Sequence, residues 1–371
     1  MTRIRILYCI DSLVRGGTEL QLIGLINRLD HTQYKPYLLT IRSTSKVLIP
    51  ENCVHLDWNI PKLFSMHGFY HILKLVFWLK KERIDIVQTY FQDSTLLVGV
   101  AAWLARVDGR IACFRDMAFW NNNRTQKALN KIYPLMTGYI SNAEAVSQHF
   151  IKKFCLKADK MKVLPNGIDV KKFKFVKHNK GITDICIVGN MTRQVKRTDL
   201  FIKATAIVAR EHPDIKWHII GDGHLKGELE SLAEDLGVKD SIIFVGRISN
   251  VDQYMESMQL GVLCSDSEGL SNAILEYMLK GVVCIATNVG GNPELVDDGI
   301  TGCLVEANDH NGIAEKILQL INDSSLYRTL ALNARQSIEQ KYSWGNCIME
   351  HGEFYRKTLE NRLCKKGENR E

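Results

Sequence analysis

The chain has 371 residues, 46% of them apolar, with 48 Lys and Arg against 41 Asp and Glu and ten scattered cysteines. That length suits two domains of ordinary size, each able to bury its own core, and the balance is that of a soluble globular protein. It excludes a membrane-spanning helix, since no window approaches the ~20 apolar residues required. It also excludes a disulfide framework or zinc site, since no Cys-x-x-Cys pair occurs and several cysteines fall inside strand-like runs.

Charge is unevenly distributed. Residues 1–180 carry 28 Lys and Arg against 13 Asp and Glu, and the remainder 20 against 28. A positive half joined to a negative half suggests that the first meets something anionic. A diphosphate-linked substrate and an anionic membrane surface both fit. Nucleic acid does not, because no recognised nucleic-acid motif is present.

In chain order, Arg3–Ile10 alternates like a first strand and lacks a cleavage signal, so a cytoplasmic protein is expected. Gly16-Gly17-Thr18-Glu19 then leads into a helix over Leu20–Arg28. Phe69–Lys81 reads as an aromatic-rich helix, expected as a crossover packed on a sheet, with a membrane-touching role as the weaker reading. Strands follow at Ile84–Thr89, Ile111–Phe114 and Tyr139–Ser141. After Leu164-Pro165-Asn166-Gly167-Ile168-Asp169, the basic stretch Lys171–Lys180 reads as a linker. A second series of strands comprises Asp184–Gly189, Lys216–Gly221, Ser241–Gly246, Gly261–Cys264 and Val282–Thr287, and an amphipathic helix over Asn346–Leu363 ends the chain. Strand and helix alternate throughout, which predicts two consecutive doubly wound parallel sheets. In such folds ligands bind beyond the carboxyl ends of the strands, so a shared ligand is expected in a cleft between the domains.

The most informative run is Glu268-Gly269-Leu270-Ser271-Asn272-Ala273-Ile274-Leu275-Glu276, after the strand-like run that ends at Cys264. The pattern places Glu268 in a loop and Glu276 about two turns into a helix, roughly 12 Å further on. The amides of Leu270–Ala273 would lie between them as a helix N-terminus suited to an anion. Two carboxylates flanking an anion site suit a ligand with sugars on both sides of a phosphate, such as a sugar nucleotide. Acidic residues near a helix start are also common for electrostatic reasons alone.

Three other loops add to it. Gly189 opens the second series' first βα loop, where Arg193 can fork onto phosphate oxygens and Lys196 supplies a compact charge. Gly221-Asp222-Gly223-His224-Leu225-Lys226-Gly227 is one residue too long for a dinucleotide fingerprint and follows the second strand of its series. Gly290-Gly291-Asn292-Pro293-Glu294 follows Val282–Thr287, with Pro293 suited to a first helical turn.

This ordered set resembles the retaining GT-B glycosyltransferases of family 4. The motifs are Gly-Gly-x-Glu, Pro-Asn-Gly-Ile-Asp, Arg-x-x-Lys, Gly-Asp-Gly, Glu-x7-Glu and Gly-Gly-x-Pro-Glu, spread from Ile4 to about Tyr355. The resemblance implies two Rossmann-like doubly wound α/β domains facing across a cleft. It implies an acceptor domain over 1–170, a sugar-nucleotide domain over 181–343, and a C-terminal helix over 344–363 packing back on the first domain. Arg193 and Lys196 would hold the donor diphosphate, and Glu268 would contact the transferred sugar. Glu276 would accept hydrogen bonds from ribose hydroxyls. The backbone of Leu270, Ser271 and Asn272 would bind phosphate or sugar, while Gly189 and Arg247 would complete the donor site. Gly16 and Gly17 would face the acceptor side.

One departure stands out. Many relatives carry a His after a strand of the first domain, where this chain reads Cys113-Phe114-Arg115-Asp116. Arg115 and Asp116 are the candidates to replace it. The expected activity is transfer of a sugar from a nucleotide-sugar donor to an acceptor hydroxyl with retention, without a metal or other cofactor, in cell-envelope polysaccharide assembly. The acceptor is expected to be a saccharide or lipid-diphosphate-linked saccharide, met at the inner face of the cell membrane through peripheral contact with anionic lipid. The alternatives are an NADP-dependent oxidoreductase, using Gly221–Gly227 and Arg247, and a non-catalytic sugar-nucleotide-binding protein of the same fold. A nucleotide-sugar epimerase would need an acid–base set that is not found.

Overall fold

The computed structural model describes residues 3–14, 16–42, 49–60, 63–117, 123–178 and 181–368, with side chains through Glu360. They form two compact units, residues 1–167 with 344–371, and residues 168–343. The first unit runs β1 (Ile4–Ile10), α1 (Gly17–Arg28), β2 (Tyr34–Thr40), β3 (Val54–Asp57), α2 (Met66–Lys81), β4 (Ile86–Tyr90) and α3 (Gln92–Ala105). It continues with β5 (Gly109–Phe114), α4 (Asn123–Ile132), β6 (Gly138–Ser141), α5 (Glu144–Phe154) and β7 (Met161–Val163). Its seven strands lie in the order β3-β2-β1-β4-β5-β6-β7, and every pairing is parallel.

Both faces of this sheet are covered, as a parallel sheet requires. Along β1, Ile6, Tyr8 and Ile10 enter one core, while Leu7 and Cys9 enter the other. The strand therefore reads apolar throughout even though its side chains alternate between faces.

The second unit runs β8 (Asp184–Val188), α6 (Thr198–Val208), β9 (Lys216–Ile220), α7 (Lys226–Asp235), β10 (Ile242–Gly246), α8 (Val251–Tyr254), β11 (Leu260–Leu263) and α9 (Asn272–Lys280). It ends with β12 (Val283–Thr287), α10 (Asn292–Leu295), β13 (Cys303–Val305), α11 (His310–Asn322) and α12 (Ser324–Lys341). The strand order is β10-β9-β8-β11-β12-β13, again all parallel. Each sheet thus reverses direction beside its first strand, between β1 and β4 and between β8 and β11. Doubly wound sheets open a crevice at such a point, at the carboxyl edge. Lys171 to His178, expected as linker, belong to the second unit, where the Val176 amide donates to the Lys280 carbonyl; Asn179 and Lys180 lie outside the described residues.

The last helix, α13 (Trp344–Glu368), belongs to the first unit. Its anchor is a buried hydrogen-bond chain. The Tyr355 hydroxyl donates to Gln88 Oε1 on β4 at 2.6 Å and lies 3.1 Å from the Tyr8 hydroxyl on β1, while Gln88 Nε2 donates to the Tyr90 hydroxyl at 2.7 Å. Small residues admit the helix. A Cβ on Gly24 or Gly167 would come within 2.4 Å of the Trp344 ring. Tyr355→Phe strands the Gln88 acceptor away from water, so it should destabilise the unit by about 1–3 kcal/mol. Urea unfolding of the full chain, followed by tyrosine and tryptophan fluorescence, should show an earlier midpoint for the unit that contains α13.

Candidate functional site

The sequence-predicted donor residues all fall in the second unit, and all but Arg247, which follows β10, lie on the loops and helix that leave β8 and β11. After β8 the chain passes Gly189, whose amide donates to the Ile220 carbonyl at 2.9 Å. It then makes one 3-10 turn over Gln194–Lys196 and enters α6 through Arg197, which adopts a left-handed backbone with φ +48°. After β11 the chain enters the loop of Ser265, Asp266 and Glu268, and Ser271 caps α9. The adjacency of β8 and β11 in the sheet carries these two loops together, and the Asp266 amide donates to the Val195 carbonyl at 2.8 Å.

The side chains lock the same junction. Lys196 Nζ lies 2.6 Å from Glu268 Oε1, and the buried Ser265 hydroxyl donates to that oxygen at 2.6 Å. Arg197 bridges Asp199 at 2.9 Å and Asp266 at 3.1 Å and also meets Asn308. The two carboxylates of the run Asp266-Ser267-Glu268 are therefore each matched by a cation in place. Among the described residues, no group of three His, Cys, Asp or Glu side chains converges to hold a metal ion. Beside this junction a pocket of about 350 Å³ is lined by Met191, Arg193, Arg197, Asp199, Glu228 and Asp266, among others.

Glu276 sits on α9, little more than one turn from its start. The expected two turns shrink because Gly269 and Leu270 stay outside the helix and Ser271 caps it, with its hydroxyl 3.5 Å from the Ile274 amide. Burial pushes the Glu276 carboxyl up to about 7, Asp252 adds to the rise, and Lys172 and Lys280 oppose it. The next residue, Tyr277, fixes α9 to β8, since its hydroxyl accepts from the Val188 amide at 2.8 Å. Leu270 and Ser271 are buried and Asn272 is half-buried at the helix start, whereas Arg247 after β10 is exposed.

The glycines separate into two kinds. A Cβ on Gly221 would lie 2.0 Å from the Gly189 carbonyl oxygen, and one on Gly223 would lie 2.2 Å from the Met191 backbone. Those two are required by the packing of the β9 loop on the β8 loop. Gly290 has φ +54°, and a Cβ there would meet the Glu268 carbonyl oxygen at 1.9 Å, so the β12 loop buttresses Glu268 from behind. Gly189 is different, because a Cβ would touch only the Lys196 stem at an ordinary 3.8 Å. Nothing in the protein itself demands glycine there.

In the first unit, Gly16 is the N-cap of α1, extended, and the Glu19 carboxylate folds back over it. Gly17 is the first residue of the helix. Arg115 and Asp116 directly follow β5, with the Arg115 guanidinium 6.0 Å from the Tyr90 ring centroid. Sequence reasoning passed over Asp11, which directly follows β1 and accepts from the Ser94 amide at 2.8 Å. Burial, with help from Asp93, pushes its carboxyl up to about 7. An acidic residue immediately after a first parallel strand was the available signal. Ser265 and Arg197 were also passed over, since neither had a motif of its own.

Comparisons with known proteins match this geometry. Residues 15–172 match the family described as Glycosyltransferase Family 4, and residues 182–323 match Glycosyl transferases group 1. The N-acetyl-alpha-D-glucosaminyl L-malate synthase of Bacillus anthracis is 32% identical over 167 residues, 45% of this chain and 44% of that one, so this alignment spans less than half of either protein. The UDP-Gal:alpha-D-GlcNAc-diphosphoundecaprenol alpha-1,3-galactosyltransferase of Escherichia coli is 27% identical over 76% of each chain. Among solved structures, HepE of Anabaena in complex with UDP superposes with a TM-score of 0.82 at 20% identity, covering 95% of this chain and 100% of that one. The two doubly wound sheets are those of the GT-B fold, and the chain belongs to the group 1, family 4 glycosyltransferases.

Proposed function

We propose that the chain transfers a sugar from a nucleoside-diphosphate sugar to a hydroxyl of a saccharide or lipid-diphosphate-linked saccharide, with retention, in assembly of a surface polysaccharide or glycoconjugate. The observation that carries this reading is the Lys196–Glu268 contact at the β8–β11 switch point, with Arg193 on the adjoining pocket and Glu276 on the helix that the Glu268 loop enters. A diphosphate arriving there competes with Glu268 for Lys196. Glu268 is then free to accept hydrogen bonds from hydroxyls of the sugar, and Glu276 accepts them from the ribose. The names of two relatives support the donor and acceptor classes, since one uses UDP-Gal with a diphosphoundecaprenol-linked saccharide and another was solved with UDP.

In the reaction, the bond from the anomeric carbon to the diphosphate oxygen breaks and negative charge gathers on the departing phosphate. Preorganised cations are most effective where such charge develops. Lys196 and Arg193 supply them, so the proposal needs no metal. The acceptor oxygen attacks from the face that the leaving group vacates, and its proton passes to the departing phosphate oxygen. A double displacement would need a nucleophilic carboxylate about 5 Å from a second one. Glu268, held by Lys196 and Ser265, is committed to binding instead. The oxidoreductase alternative loses its fingerprint, because Gly221 and Gly223 are accounted for by loop packing.

Two predictions follow from these roles. Arg193→Ala and Glu276→Ala should each lower kcat/KM by about 10²–10³ with the correct donor, whereas Lys177→Ala, exposed and outside every motif, should change it less than about twofold. Steady-state kinetics with UDP-, GDP- and ADP-sugars would check this, and wild-type kinetics in Glu276→Ala would contradict it. The second concerns pH. The Glu276 carboxyl titrates near 7 in the folded chain against 4.5 in the ordinary case. The folded state therefore binds the proton more tightly, and stability present below pH 4.5 is lost as pH rises through about 7. Glu276→Gln removes that loss, so its Tm should exceed the wild-type value at pH 8, with the gap closing by pH 5 in differential scanning calorimetry.

A further inference from the structure

Helix α2 buries Gly68, His71, Leu75 and Leu79 against the first unit's sheet, as a crossover helix does. Its opposite face is unusual. Met66, Phe69, Tyr70, Leu73 and Phe77 recur at helical spacing and all point outward, with Met66 84%, Phe69 55% and Phe77 74% exposed. Phe64, just before the helix, is also exposed. Single exposed apolar residues are ordinary, but a continuous stripe three turns long marks an interaction surface.

The charge on the helix that carries the stripe and on the helix beside it is of one sign. Helix α2 contains no Asp or Glu, and its lysines, Lys74, Lys80 and Lys81, are exposed along the flank and at the C-terminal end of the apolar face. Helix α4 lies in the same layer, since α2 packs on α3 and α3 on α4. It too contains no carboxylate, and it presents Arg124, Lys127 and Lys131 on one exposed face. The two helices are joined where the Arg124 guanidinium covers the Phe64 ring at 5.3 Å. A protein partner of ordinary composition would not call for two helices that together carry six exposed cations and no carboxylate beside an apolar strip. An anionic bilayer does, because acyl chains take the aromatic and aliphatic groups while headgroups take the cations.

We propose that α2, with the basic face of α4 beside it, docks the first unit on an anionic lipid surface, lying in the plane of the interface. No helix among the described residues is long and apolar enough to cross a membrane, so docking is peripheral. The inference does not depend on the donor reading, because its residues lie in the other unit and its test measures no turnover.

The test is sedimentation of the full chain with vesicles, either phosphatidylcholine alone or about three parts phosphatidylglycerol to seven of phosphatidylcholine. The wild type should bind the anionic vesicles, lose affinity as salt is raised, and bind neutral vesicles at least tenfold more weakly. Phe69→Ser with Phe77→Ser should weaken binding about tenfold or more. Lys127→Glu with Lys131→Glu, which leaves the apolar stripe intact, should weaken it about fivefold or more per site. All four positions are exposed, and an unchanged Tm shows that each variant folds; should the serine variant not fold, the charge-reversed one decides. Equal binding to both vesicle types, or binding to neither, would overturn the proposal. So would a wild type that sediments as a dimer which Phe69→Ser and Phe77→Ser dissociate.

Discussion

The 2.6 Å contact between the Lys196 ammonium and the Glu268 carboxylate is the joint on which the second unit's site depends. It ties the loop after β8 to the loop after β11, and those loops meet only because their strands are neighbours at the point where the sheet reverses. An ion pair in such a half-buried position adds little net stability, since desolvation offsets much of the attraction. Its consequence is geometric. It holds a cation and an acceptor within one hydrogen-bond length of each other, beside a helix start and a pocket that Arg193 helps to line. The Ser265 hydroxyl holds the Glu268 carboxylate, and Gly290 packs against the Glu268 main chain.

Around that joint, burial and backbone packing set the chemistry. Glu276 is surrounded closely enough that ionisation is costly near neutral pH, so hydroxyl donors on a ligand would offset a penalty that the protein alone carries. Tyr277 anchors the same helix to β8 through the Val188 amide, so α9 and the Gly189 loop are positioned as one piece. The first unit repeats the architecture with different contents. Its switch point holds Asp11, Ser94, Asp93 and Arg42 in place of a lysine–glutamate joint, and Arg115 follows the neighbouring strand. That unit also carries the excess of positive charge and the apolar face of α2.

Much of this was legible in the amino-acid sequence, and the illegible parts have physical reasons. Strands buried on both faces, such as β1, β4, β8 and β12, stand out as short apolar runs between turn residues. β2 did not, because Pro36 interrupts it, although it pairs with Ile6 in the middle of the sheet. β3 and β7 are short and not fully buried, so they offer neither an apolar run nor a period, and β13 has only three residues, whereas the equally short β6 and β11 are buried throughout and stood out. The Glu268–Glu276 spacing was readable because loop and helix are consecutive in the chain. The Lys196–Glu268 pair was not, since its partners lie 72 residues apart and only the sheet order joins them. Gly221 and Gly223 looked like ligand glycines, and their packing on Gly189 and Met191 shows a different cause. The α2 helix was legible as a packed crossover, but its outward aromatic stripe needed the buried face to be known first.

The central claim is that the carboxyl edge of β8 and β11 grips a nucleoside diphosphate through Lys196. Acetylation footprinting tests this most directly, by following the modification rate of each lysine by mass spectrometry with and without saturating UDP, GDP or ADP. The account predicts that one of these nucleotides slows modification of Lys196 severalfold while leaving Lys177 unchanged. A Lys196 that reacts at the same rate under all three, while a nucleotide demonstrably binds the chain, would contradict it.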